Sequence, residues 1–300
     1  MNLSYETFKT SIVSFLQTQF GGDTDVSLQP IVKNNNLKLD GLIIQSAAIN
    51  VSPTIYLNAY YEDYLSGTPI STIQNEIMAA YHKNLPKHSM NFSFFTDFEK
   101  VKYQIIYKLI NYEQNFPLLE HVPHVKFLDL AVVFCCFLPD TPNGAATILI
   151  HKHHLGLWNI DENCLYELAM KNTPILLPCE IKSMNDVMKS LCPEIQADES
   201  FPDAAKPPEM YVLTNTEKLY GASAILYPNI LSYFAKRLKA DLYLLPSSIH
   251  EVLLLPNCPD INLSELNCIV QEVNQSHVQK EEILSDHAYL FKQDAGLFTH

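Results

Sequence analysis

Residues 242–255 have the sequence LYLLPSSIHEVLLL and decide the fold of the C-terminal part of the chain. The two apolar runs 242–245 and 251–255 each have the length of a buried strand, and a short polar corner separates them. The flanking segments predict helices over 222–239 and 263–274 and strands over 210–213 and 288–291. This order is βαββαβ, so we expect a ferredoxin-like unit with both helices on one face of its sheet.

Apolar periodicity in the N-terminal part predicts further helices and strands. A capping box at Thr96 and Glu99 predicts a helix that continues through Leu109. Helices are also predicted over 5–20, 69–82, 161–171 and 184–191, and strands over 26–44 (a hairpin with its turn at 34–36), 52–57, 125–138 and 145–152. Together these patterns predict an α+β protein with mixed or antiparallel sheets.

A change of composition divides the sequence near its last third. Residues 193–209, PEIQADESFPDAAKPPE, are rich in proline, acidic and small residues and show no periodicity. Such a stretch is typical of a linker or an exposed loop. We therefore predict an N-terminal α+β domain over 1–192 and the ferredoxin-like domain over 210–300.

The composition limits the classes of partner. The net charge is −13, from 20 basic and 33 acidic side chains, and we find no basic stripe. Because nucleic acids and anionic membrane surfaces attract Lys and Arg, we expect neither as a partner. The N-terminus lacks the pattern of a signal peptide, and the longest apolar run, 130–138, is too short to span a bilayer. The 7 cysteines lack CxxC spacing, so reduced thiols in a cytoplasmic protein are expected.

A cluster of histidines, His151, His153 and His154, is the first candidate site. On a predicted strand His151 and His153 share one face, with Cys135 and Cys136 on the partner strand, and imidazole and thiolate are zinc ligands. This set offers two or three ligands without a metal-binding spacing, and a histidine-rich strand end with buried cysteines is the simpler interpretation. We predict no metal and keep His151 and His154 as candidate binding residues.

The polar corner of the C-terminal unit is the second candidate site. Ser247, Ser248, His250 and Glu251 contain the residue types of a hydrolytic triad. Neighbours in a strand point to opposite faces, so His250 and Glu251 are poorly placed to support one another, and the GxSxG elbow is missing. A Pro-Ser turn between strands and a polar binding corner both fit this pattern.

The loop from Asn215 to Gly221 is the third candidate. A strand, a polar loop and the start of a helix can hold an anion. The loop has one glycine, so neither a phosphate-binding loop nor a dinucleotide fingerprint is present. A plain strand–helix connection is the simpler interpretation, and Asn215 stays a candidate binding residue.

Five segments together resemble a bacterial family catalogued as a domain of unknown function, the DUF 5688 type. They are LINYEQN (109–115), ILIHKHHLGLW (148–158), EIKSM (180–184), MYVLTN (210–215) and LPSSIHEVLLLP (245–256). Residues 210–290 are also remotely similar to another such family, the DUF 1444 type. Neither family has an assigned reaction, so the resemblance implies no mechanism.

Every catalytic pattern considered lacks a member, which favours a non-enzymatic binding or regulatory protein. Its partner would be an unknown protein or small molecule, with no cofactor. The alternative is a hydrolase or transferase with its site near Ser248, His250 and Glu251. A structural or self-associating role also fits the many Tyr and Phe residues. A concave pocket that gathers the candidate residues would favour the enzyme, and a flat surface would favour binding.

Overall fold

The computed structural model describes residues 2–22, 24–46, 52–85, 93–141, 144–191, 208–259 and 261–299. Contacts divide the chain into two compact units. The first contains Met1–Phe95 with Pro139–Ala146, and the second contains Thr96–Leu138 with Thr147–His300. Within the described ranges, no helix is both long and apolar enough to cross a bilayer.

The first unit packs three helices against a three-stranded antiparallel sheet. Helix α1 begins where the Ser4 hydroxyl accepts a hydrogen bond from the N–H of Thr7, and it buries Phe8, Ile12 and Leu16. The predicted hairpin, with its turn at Asn34–Asn36, is confirmed. The elements are α1 (Tyr5–Phe20), β1 (Thr24–Val32), β2 (Lys38–Ser46), β3 (Thr54–Tyr56), α2 (Leu57–Leu65) and α3 (Ile70–Asn84).

The second unit opens with a four-stranded sheet in which β6 pairs with β4, β5 and β7, except that the parts of β6 and β7 within Pro139–Ala146 are grouped with the first unit. The elements are α4 (Phe98–Val101), β4 (Ile105–Asn111), α5 (Phe116–Leu119), β5 (His124–Phe127), β6 (Leu130–Thr141), β7 (Gly144–Leu149), α6 (Lys152–Trp158) and α7 (Glu162–Leu176). The helix predicted through Leu109 is wrong, because helical structure ends at Gln104 and the chain then becomes a strand. Six of the seven residues of β4 are buried. Such a continuous apolar run suits a strand buried on both faces as well as it suits a helix.

Side chains satisfy the outer edge of β4. The N–H of Tyr107 donates to the hydroxyl of Thr173 on α7 (3.0 Å), and the N–H of Leu109 donates to the hydroxyl of Ser223 (3.1 Å). The amide of Asn172 donates to the carbonyl oxygen of Ile105 (3.1 Å). An open edge exposes unpaired backbone groups, and these bonds close it inside the unit.

A six-stranded antiparallel sheet forms the rest of the second unit, in the order β13-β12-β10-β11-β9-β8. Its elements are β8 (Cys179–Ser183), α8 (Met184–Leu191), β9 (Tyr211–Asn215), a 3₁₀ segment (Gly221–Leu226), α9 (Ile230–Leu238), β10 (Leu242–Ser248), β11 (Glu251–Pro256), α10 (Leu263–Ser276), β12 (Tyr289–Lys292) and β13 (Leu297–Thr299). The predicted order βαββαβ runs from β9 to β12. The strand order is not that of a ferredoxin-like unit, because β12 pairs with the second strand of the unit, β10, instead of with the first, β9.

The two long helices of this region lie on opposite faces of the sheet, which corrects the expectation of one shared face. Tyr211, Leu254 and Leu244 pair across strands and therefore share a face, and the Phe234 ring of α9 lies 4.9 Å from that of Tyr211. Tyr243 alternates with Leu244 and points to the other face, where it packs with residues of α10.

The predicted boundary within 193–209 does not separate the two units. Strand β8, which precedes it, pairs residue by residue with β9, which follows it. The 1–192 and 210–300 segments therefore share one sheet. Most of the predicted linker lies outside the described residues, and only Pro208 and Glu209 fall within them.

Candidate functional site

Two of the sequence-predicted candidates meet in the structure. The loop from Asn215 to Gly221 folds over the 247–251 corner between β10 and β11. The hydroxyl of Thr214 donates to the carbonyl oxygen of His250 (2.8 Å), and the N–H of Tyr220 donates to Nδ1 of the His250 ring (3.2 Å). Gly221 is required at this contact, because a Cβ there would collide with Thr214 and with the His250 carbonyl oxygen.

Internal hydrogen bonds use the polar groups of the corner. The hydroxyl of Ser248 accepts from the N–H of His250 (3.0 Å), and the hydroxyl of Ser247 donates to a carboxylate oxygen of Glu251 (3.3 Å). Asn215 is fully buried, and its amide group closes the following loop through both the N–H and the carbonyl of Leu219. Within the described residues, no hydrogen bond joins a serine hydroxyl to the His250 ring, so the triad contact that the hydrolase alternative needs is missing there.

Within the described residues, the second ring nitrogen of His250 forms no hydrogen bond. Because Nδ1 accepts a hydrogen bond, a neutral ring carries its proton on Nε2. This Nε2 lies 4.0 Å from a carboxylate oxygen of Glu282, and the ring stacks on Tyr220 with centroids 5.8 Å apart. The amine of Lys108 lies 4.5 Å from the centre of the same Tyr220 ring. His250, Glu282 and Lys108 therefore place hydrogen-bonding groups around the Tyr220 ring at the 247–251 corner.

The histidine cluster lies at the start of a helix, which corrects the predicted strand over 145–152. Strand β7 ends at Leu149, and His151 is the residue before α6. The side chain of His151 accepts from the backbone of His154, and the N–H of His151 donates to Nδ1 of His154 (3.0 Å), so two imidazoles cap the helix. Burial, together with the neighbouring imidazoles of His153 and His151, lowers the pKa of His154 to about 4.

Cys135 and Cys136 lie on β6 in the interior of the second unit. Both are buried, and burial raises the pKa of the Cys136 thiol to about 12. Cys135 packs in an apolar cluster with Ile106, Phe137 and Leu177. In the part of the chain that the structure describes, no group of three or more His, Cys, Asp or Glu side chains has the arrangement of a metal site.

The second unit contains a concavity that the sequence did not indicate. It is a groove of about 610 Å³ in the second unit, and we call it the α8–α9 groove. Strands β8 and β9 form its floor, α9 forms one wall and α8 the other. Its lining residues are Cys179, Ile181, Lys182, Ser183, Asn185, Asp186, Lys189, Glu209, Tyr211, Ile230, Tyr233, Phe234 and Arg237. Ligand sites in proteins commonly have volumes of about 300–1,000 Å³.

The pairing of β8 explains the floor. The N–H of Thr216 donates to the carbonyl oxygen of Pro178, and that of Met184 donates to the carbonyl oxygen of Met210. These bonds extend the β8–β9 ladder at both ends. Cys179, Ile181 and Ser183 alternate along β8, so they share the face on which Tyr211 and α9 lie.

The profile of a family of unknown function, DUF5688, matches residues 5–293. The chain belongs to this family. No curated protein and no solved structure matches it.

The motifs of this DUF5688 member fall on both candidate regions. LPSSIHEVLLLP forms β10, the corner and β11, and ILIHKHHLGLW forms the end of β7 and α6. EIKSM and MYVLTN, which lie apart in the sequence, pair as β8 and β9 and form the groove floor. These two motifs were the signal for the groove, but no local pattern shows that they are neighbours.

Proposed function

We propose that this DUF5688 member is a non-enzymatic binding protein of the cytoplasm that holds a small-molecule ligand in the α8–α9 groove. The observation that carries the proposal is the groove itself, a 610 Å³ concavity with aromatic and charged side chains on a sheet floor. Its volume is in the range that is typical of small-molecule sites, and its lining combines three aromatic rings with charged side chains.

Two further observations support binding over catalysis. The polar groups of the 247–251 corner bond to one another and to the backbone, as a structural corner requires. Tyr233 on α9 is 70% exposed and lines the groove, and an exposed aromatic side chain at a concave site is a typical binding residue. The cytoplasmic assignment is supported by the described cysteines, which are all free thiols.

The test combines native mass spectrometry of the purified full chain with a thermal-shift screen of carboxylates, phosphates, amines and neutral aromatic compounds. We expect a bound compound whose effect is lost in Tyr233→Ala. The control is Tyr103→Ala, because Tyr103 is also in the second unit and is 66% exposed but lies outside the groove. Both variants should keep the wild-type melting temperature, since exposed side chains contribute within about 0.5 kcal/mol.

Two results would overturn the proposal. The first is a compound that stabilises wild type and Tyr233→Ala equally, which would place the binding site elsewhere. The second is the absence of any bound or stabilising compound. Turnover of a compound in the screen would instead favour the hydrolase or transferase alternative.

A further inference from the structure

Arg237 is the only arginine among the 20 basic residues of the chain, and it lines the α8–α9 groove. Its guanidinium lies 5.9 Å from the centre of the Phe234 ring, one turn earlier on α9. Within the described residues, Arg237 forms no ion pair with a carboxylate. A cation in the last turn of a helix also complements the helix dipole, but Lys236 supplies that charge outside the groove.

Cations are concentrated in the groove although the whole chain is strongly acidic. Its lining has three cations against two carboxylates. One carboxylate, Glu209, accepts a hydrogen bond from the Tyr211 hydroxyl (2.7 Å), and one cation, Lys182, pairs with Glu180 (2.8 Å). On the α8 wall Lys189, like Arg237, has no ion-pair partner in the described part of the chain. Arg237 and Lys189 are thus the groove cations without an ion pair in the described residues, and the carboxylates of Asp186 and Glu209 line the same groove.

An aromatic surface lies beside these cations. The Phe234 and Tyr211 rings meet edge to face at 4.9 Å, and Tyr233 presents its side chain to solvent. Planar molecules stack on such rings, and a guanidinium matches the geometry of carboxylate and phosphate groups.

We propose that the groove binds a small molecule in which a carboxylate or phosphate is attached to a planar ring. Arg237 binds the anionic group through its paired N–H donors, Lys189 adds positive charge, and Tyr233 contacts the ring. This inference rests on the proposed function and gives its ligand a chemical class.

The experiment measures equilibrium binding to the full chain by calorimetry with three probes of one ring system: naphthoate, naphthyl phosphate and naphthamide. We expect at least one anion to bind at least tenfold more tightly than the neutral amide. Arg237→Gln should weaken anion binding about tenfold to a hundredfold, because hydrogen bonds to charged groups contribute that much, and should leave amide binding unchanged. Arg237→Lys should retain part of the affinity, and more of it for phosphate than for carboxylate.

The matched control is Lys236→Gln, which removes the same charge one residue away on the same helix and outside the groove. It should change each affinity by less than about twofold, because an exposed single charge is screened by solvent. An equal loss in both variants would mean that general attraction explains the binding, which overturns the role of Arg237. Equal binding of anions and amide would overturn the ligand class. In either case a compound whose binding depends on Tyr233 would leave the proposed function standing, whereas no binding at all would remove both.

Discussion

Gly221→Ala tests the packing of the 215–221 loop on the corner. A methyl group at residue 221 would lie 2.9 Å from Cα of Thr214 and would collide with the hydroxyl of Thr214 and the carbonyl oxygen of His250. Those two oxygen atoms form a hydrogen bond of 2.8 Å, so the methyl group meets an existing contact between β9 and the corner. The loop must either move away or give up this bond.

The expected destabilisation follows from these two effects. Overpacking of a closed site costs about 1–3 kcal/mol, and loss of the hydrogen bond adds about 0.5–1.5 kcal/mol. We expect the free energy of unfolding of the second unit to fall by about 2–4 kcal/mol. With a urea dependence of about 2–3 kcal/mol per molar, the midpoint should fall by roughly 1 M.

Fluorescence of Trp158 during urea titration is a suitable assay. Trp158 is the only tryptophan, is buried, and belongs to the second unit, so its signal reports the unfolding of that unit. Gly156→Ala is the matched control, because Gly156 lies within α6 and a Cβ there meets no atom within 4 Å. Alanine is a better helix former than glycine, so this variant should gain about 0.5–1 kcal/mol.

Unfolding of Gly221→Ala at the same urea concentration as wild type would refute the predicted collision. The prediction also fails if Thr214→Ala does not reduce the cost of Gly221→Ala. Removal of the Thr214 hydroxyl relieves one of the two collisions, so the two substitutions must be non-additive.

Three further predictions concern single side chains. His250→Ala should lower the free energy of unfolding by about 1–2 kcal/mol, because it removes the acceptor for the N–H of Tyr220. His250→Asn should recover part of the loss. Equal urea midpoints for wild type and both variants would contradict the role of this hydrogen bond. Burial and neighbouring imidazoles lower the pKa of His154 to about 4, so the unfolded chain binds a proton below about pH 6.5 that the folded state does not bind. The contribution of this histidine to stability should therefore be complete above that pH and decline toward pH 4. His154→Gln should remove about 1 kcal/mol of the decline once solvent screening is allowed for. Parallel stability–pH profiles for wild type and His154→Gln would refute the lowered pKa of His154. A thiol reagent at pH 8 should label the exposed Cys268 rapidly. The buried Cys136, whose pKa is raised to about 12, should react only after unfolding. If Cys136→Ser consumes one equivalent of reagent less than wild type in the rapid phase, this prediction is wrong.

Elements with local signals could be predicted from the sequence. Helix α1 spans the predicted 5–20 with Ser4 as its cap. Helix α10 begins at the predicted residue 263, after Asn262, whose side chain accepts from the N–H of Glu265 (2.9 Å). In both helices the capping residue and the spacing of the apolar residues predict the same element. The tertiary contacts of these helices agree with that local preference.

Ambiguous local signals gave the wrong element. The run from Ile105 to Asn111 suits a helix or a strand, and its partners, β6 and the side chains of α7, decide for the strand. No glycine, proline or other turn residue separates β7 from His151. The alternation of apolar and polar residues therefore extended the predicted strand to residue 152. The reciprocal caps of His151 and His154 end it, and imidazole is an uncommon cap.

The candidate site was predicted only in part. The corner and the Asn215 loop were both located, but their contact depends on the β9–β11 pairing, which no periodicity encodes. Residues at the corner were expected to reach a ligand, and they bond to one another and to the backbone instead. The groove was missed because its floor joins two strands from either side of the 193–209 segment.

The strand order explains why the groove lies where it does. The connections β9–α9–β10 and β11–α10–β12 each skip one strand, and both step toward β12 across the sheet. Because β9 and β11 are antiparallel, two right-handed connections that step the same way place their helices on opposite faces. In a ferredoxin-like order the two steps would be opposite and both helices would share one face. Here α9 lies on one face of the sheet and α10 on the other. The side of α9 that faces the edge strand β8 is therefore not covered by α10. The exchange of one strand pairing thus replaces the predicted ferredoxin-like order, within the predicted α+β class, and leaves the concavity on which the proposed function rests.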